Sequence, residues 1–146
     1  MVRGFLTSQM VLIGNRQALK EREGALEITY ELLERFEAHL RASEHYTVIA
    51  NVRGDGPEAV AQKVFEQPHL GGLQGPTISQ VYLRDASQDW YAISIVVRKD
   101  RLRASVEQLR AIGGSGVLVL PVTYIFEEKP WRWRNLLDTL GIEESS

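Results

Sequence analysis

The chain contains no cysteine, which removes disulfides, thiolate metal ligands and thiol redox chemistry and is compatible with a reducing cytoplasm. A dominant charge is missing too, since 17 basic residues stand against 19 acidic ones for a net charge of -2. Nucleic-acid binding through bulk charge is therefore not expected. The longest apolar runs, such as "GVLVLPVTYIF", fall short of the roughly 18 to 20 residues that span a bilayer. The amino terminus lacks a basic, apolar and small-residue signal arrangement. On this reading the chain is cytoplasmic, with no membrane or nucleic-acid partner.

Catalytic motifs are equally scarce. The glycine-rich stretch "GGLQGPTIS", residues 71 to 79, invites a phosphate-binding reading, but no lysine follows Gly75 as a P-loop requires. A dinucleotide fingerprint needs GxGxxG after a strand and before a helix, whereas this loop lies between a helix and a strand. His39, His45 and His69 show no HxxxH or HExxH spacing, so no metal site is expected. The serines lack a GxSxG elbow. Glu127-Glu128 and Glu143-Glu144 read as solvated charge rather than general acid and base. No catalytic residue is assigned. The amides of 71 to 75 retain two readings, an anion-binding nest and a plain turn.

What is present describes a folded domain. With 146 residues, 44% of them hydrophobic, the chain is long enough to bury a core without staples. "SQMVLIGNR" at 8–16 reads as a buried strand closed at Gly14-Asn15. Ala25, Ile28, Leu32, Leu33, Phe36 and Leu40 recur at helical steps and predict a long helix to about Ala42. "HYTVIANVR" at 45–53 predicts a strand, and "GDGPEAVAQKVFEQ" a helix with Pro57 at its first position and Val60, Val64 and Phe65 on one stripe.

"TISQVYLRD" and "WYAISIVVRK" then alternate as a hairpin around a turn at 86–89. Asp100 is a candidate N-cap for "RLRASVEQLRAIG", with Gly113-Gly114 as its stop. "GVLVLPVTYIFEE" closes the order as a last strand, where Pro121 suggests an edge position or a bulge. A terminal helix carries Trp131, Trp133, Leu136, Leu137 and Leu140, and its interleaved Arg132 and Arg134 are read as surface rather than as a nucleic-acid site. From residue 45 the order is β-α-β-β-α-β, which predicts an α+β, ferredoxin-like domain: a four-stranded antiparallel sheet under two helices. The divisions are 1–44, 45–128 and 129–146. The lone strand and apolar helix before residue 45 lack a partner, so they are expected to be covered by another subunit or by further chain.

"SQMVLIGNRQAL", "LLERFEAHL", "GLQGPTIS", "DWYAISIVVRKDRL" and "LRAIGGSGVLVLPVTYIF" together resemble the carboxyl-terminal part of the long form of ATP phosphoribosyltransferase, which joins ATP to phosphoribosyl pyrophosphate in the first step of histidine biosynthesis. The resemblance covers about residues 5 to 128. It implies that 45–128 is the regulatory domain that binds histidine between subunits and that 1–44 resembles the end of the catalytic part. The family's phosphoribosyl pyrophosphate loop is not matched in this chain. The resemblance therefore implies that this chain alone is inactive and that magnesium belongs to the catalytic half. It leaves open both a fragment of a longer enzyme and a free-standing regulatory piece.

By the same resemblance, Leu73 and Thr77 match loop residues that enclose the effector, and Val96 and Gly116 line the pocket. Gly75 stands where the family often has serine. The family's acidic residue near the end of the first strand falls close to Val52, with Asp55 three residues on as its substitute. The implied partners are histidine, a second copy of the chain through the sheet and amino-terminal segment, and a catalytic domain. The alternative is a free-standing ferredoxin-like binding or oligomerisation module with a different ligand.

Overall fold

Alternating apolar residues make the two central strands. The computed structural model describes residues 8–82, 89–127 and 129–143. In it β1 (His45–Arg53) and β3 (Trp90–Arg98) pair antiparallel over their whole length, from His45 opposite Arg98 to Arg53 opposite Trp90. β2 (Thr77–Val81) joins the outer side of β3 and β4 (Ser115–Pro121) that of β1, giving an antiparallel sheet of order β2-β3-β1-β4. This is the expected ferredoxin-like arrangement. The turn expected at 86–89 falls mostly outside the described residues, but the pairing of β2 with β3 makes the hairpin plain.

The described residues divide into two compact units, one of residues 35–127 and one drawn from the residues on either side. In the first, the period of two sends Val48, Ala50 and Val52 of β1 and Ile93, Ile95 and Val97 of β3 to one face of the sheet. There they meet Val60 and Val64 of α3 (Pro57–Phe65) and Leu109 of α4 (Leu102–Ala111). Each buried valine, leucine or isoleucine among them is worth about 1.5–3 kcal/mol. Phe65 does not join them and is exposed. The intervening residues Thr47, Ile49, Asn51, Ala92, Ser94 and Val96 occupy the other face, where Leu118 and Leu120 of β4 are exposed.

Three local expectations are corrected. Residues 8–16 form no strand. Their only regular structure is the start of α1 (Arg16–Glu21), because the Asn15 side chain accepts a 3.0 Å hydrogen bond from the Ala18 amide and caps a helix instead of closing a hairpin. Asp100 is not the N-cap of α4. It lies in a single 3₁₀ turn, Lys99–Arg101, and its carboxylate accepts hydrogen bonds of 3.1 and 3.2 Å from Arg98. That bond holds the carboxyl below its ordinary value. The last strand stops at Pro121 rather than running to 128, since proline has no amide to continue the ladder. The following segment bonds to a helix instead: the Ile125 amide donates to the Ala38 carbonyl at 3.0 Å, and Glu127 pairs with Arg41.

That helix is α2 (Ala25–Ala42), whose residues contribute to both units. Ala38 and Ala42 are buried in the 35–127 unit. In the other unit, Leu33 packs against Trp133 and Leu137 of α5 (Trp131–Leu140), with Tyr30 edge-on to Trp133 at 5.2 Å. Trp131 is exposed. So are Ile28, Leu32, Phe36 and Leu40, which follow one another at four-residue steps along α2.

Candidate functional site

The glycine loop begins where α3 gives way to a short descent into the core. Leu70 is fully buried and its amide donates to the Gln67 carbonyl. Residues 71–75 then run exposed to β2. Gly72 has φ +65°, and a Cβ added there would lie 3.4 Å from the Gly75 carbonyl oxygen and 3.6 Å from that of Val96. The loop therefore doubles back on itself against the end of β3, an approach that glycine makes easy. Gly75 has φ +100°, so the serine found here in the resembling family would be strained in this backbone.

β2 carries the loop's far end. Thr77 pairs with Ser94, and Val96 lies two residues further along β3 on the same face. Leu73, Gly75, Thr77 and Val96 are thus brought together at one end of the sheet. The loop 71–75 and Thr77 are exposed here, and loop amides with a hydroxyl are groups that can receive a carboxylate.

Gly116 and Asp55 lie elsewhere. Gly116, with φ +58°, supplies the extra residue of a bulge in β4, where the register with β1 steps from Ile49 opposite Leu118 to Asn51 opposite Ser115. Val96 and Gly116 are separated by two strands laterally and about four residues along them, roughly 15 Å at normal sheet spacings. Asp55 follows β1 at the same end as Gly116. There, burial first, then the carboxylates of Asp89, Glu58 and Asp55, push the Tyr91 phenol above its ordinary value. Within one chain the six candidates do not form one pocket. Val52 points into the core and is fully buried, so the position nearest the family's acidic residue presents nothing to a ligand.

Motif reading missed several neighbours that the register supplies. Ser94 adds a hydroxyl beside Thr77, and Asn51 stands next to Gly116, its carbonyl accepting a 3.4 Å bond from the Ser115 hydroxyl. Both were findable from the two-residue period once the strand order was known. Arg53, stacked on Trp90 at 4.7 Å, marks the same end. Among the described residues no three histidine or acidic side chains gather to hold a metal, and no helix is long and apolar enough to cross a membrane.

Comparison with known proteins identifies the larger setting. The profile described as "HisG, C-terminal domain" matches residues 42–124. "ATP phosphoribosyltransferase 2, chloroplastic" of Arabidopsis thaliana is 56% identical over 140 residues, covering 94% of this chain and 34% of that protein. The "ATP phosphoribosyltransferase" of Methanosarcina acetivorans is 32% identical over 120 residues, covering 82% of this chain and 38% of that one. The chain thus spans about a third of the length of these curated relatives. Among solved structures, Arabidopsis thaliana PII bound to citrate aligns with a TM-score of 0.43 at 22% identity, over 58% of this chain and 81% of that one. The profile match extends over more than half of the sequence, and the chain belongs to the family of HisG C-terminal domains.

Proposed function

We propose that this chain is the histidine-binding regulatory part of an ATP phosphoribosyltransferase, the first enzyme of histidine biosynthesis. Catalysis, with its magnesium, is assigned to sequence that the relatives have and this chain does not match. The observation that carries the reading is the placement of Leu73, Gly75, Thr77 and Val96 at one end of the sheet and of Gly116 and Asp55 at the other. A ligand that touches both groups must lie between two copies. The loop amides and the Thr77 hydroxyl take its carboxylate from one copy, and Asp55 and the Gly116 turn face its amino group from the next. Family membership supports the choice of histidine.

Exposed apolar surface supports the assembly. Leu118 and Leu120 on the open sheet face, and Ile28, Leu32, Phe36 and Leu40 on α2, are the surfaces we assign to a second copy and to a catalytic domain. Two departures favour weaker binding than in the family: Gly75 offers no hydroxyl, and the buried Val52 offers no carboxylate.

A thermal-shift screen of the twenty amino acids and common nucleotides tests the ligand. Histidine at about 100 times its dissociation constant is expected to stabilise the domain by about 2.7 kcal/mol. Stabilisation by a different compound, with none by histidine, would instead favour a ferredoxin-like module for that other ligand.

A further inference from the structure

We propose that Ser105 and Gln108 of α4 are positioning residues for the 71–77 loop, setting its backbone through the backbone amide and carbonyl of His69. The inference rests on the reading of that loop as a carboxylate site.

The two side chains lie three residues apart and so share a face of α4. Gln108 Oε1 accepts a 3.0 Å hydrogen bond from the His69 amide, and Ser105 Oγ donates a 3.1 Å bond to the His69 carbonyl. Ser105 is wholly buried, so its hydroxyl has no water to exchange for that carbonyl. One residue on, Leu70 is sunk in the core and its amide is bonded to Gln67. The chain therefore enters the exposed stretch 71–75 from a fixed peptide, and it leaves that stretch through Thr77, paired with Ser94.

Fixing both ends leaves the loop amides aimed before any ligand arrives. Binding then needs little further ordering, which is how preorganised sites gain affinity. Ser105 and Gln108 touch no part of the proposed site, so they act through the loop. The same helix ends in the turn that leads to Gly116. One element thus sets the geometry of both halves of the proposed pocket.

Gln108 is the residue to vary, because His69 is partly exposed and water can replace the lost acceptor without unfolding the domain. Gln108→Met keeps the length and removes the acceptor; Gln108→Glu keeps the acceptor. Backbone amide relaxation and histidine titration of the full 146-residue chain are measured for wild type and both variants. In Gln108→Met the order parameters of 71–75 are expected to fall from about 0.85 towards 0.6, with β1 and β3 unchanged. Histidine affinity falls about tenfold alongside, and Gln108→Glu retains both properties. Loop order and affinity equal to wild type in Gln108→Met would overturn the proposal, as would loosening spread evenly through β1 and β3. A wild-type chain that takes up no histidine would count against the ligand reading, and the relaxation comparison would still decide the role of Gln108.

Discussion

Gly114→Ala is expected to destabilise the 35–127 unit by about 3 kcal/mol, at the upper end of what overpacking a tight site costs. The Gly114 amide donates to the Leu109 carbonyl at 2.7 Å, closing the end of α4. A Cβ at this position would lie 2.5 Å from that same carbonyl oxygen and 2.9 Å from its carbon. The obstacle is backbone rather than the tip of a flexible side chain. Relief therefore requires either breaking the closing hydrogen bond or moving Leu109, which is fully buried under the sheet. In a domain of this size the loss corresponds to a fall in Tm of roughly 10–20 °C.

Gly113→Ala separates collision from strain. Gly113 has φ +90° and open space around its missing Cβ, so only the left-handed backbone penalty of about 1–2 kcal/mol applies. Paired melting curves would show the larger loss at Gly114. Equal losses would mean that the turn relaxes freely and that the close approach carries little energy.

Thr77→Val is expected to weaken histidine binding by about ten- to a hundredfold while leaving Tm nearly unchanged. The substitution keeps the branched shape that suits a strand and removes one hydroxyl from an exposed position. A hydrogen bond to a charged carboxylate is worth about 1.5–3 kcal/mol, which converts to that range of affinity. Surface changes of this kind otherwise stay within about 0.5 kcal/mol. Titration of both proteins under one buffer decides the matter. Unchanged affinity in Thr77→Val would remove the threonine from the site and leave the carboxylate to the loop amides alone.

The sheet was legible because its two central strands are long and half-buried. In "HYTVIANVR" and "WYAISIVVR" the apolar positions recur every second residue, and no helix shares that period. The helices α2, α3 and α4 were legible from their three- and four-residue steps. The misread segments are those where a local signal has two outcomes. An apolar run such as 10–13 is a strand only if something pairs with it, and Asn15 serves a helix cap as well as a turn. Asp100 found a stronger partner in Arg98 than in the backbone of α4.

The placement of the proposed site's residues was half legible. Leu73, Gly75 and Thr77 are neighbours in sequence, and Val96 needed only the hairpin register. That Gly116 and Asp55 stand at the far end follows from strand order, which is a property of the whole sheet. Ser105 falls on the apolar stripe of α4 with Leu102, Leu109 and Ile112, which signals burial but no partner, and Gln108 borders that stripe. Only the long-range meeting with His69 gives the two a role.

The central claim is that histidine binds between copies of this chain. Calorimetric titration of histidine, with light scattering on the same sample, tests it most directly. The account predicts an oligomer that takes up one histidine per chain, with uptake falling away as dilution dissociates the assembly. A monomer that binds histidine with undiminished affinity, or an intact oligomer that binds none, would contradict it.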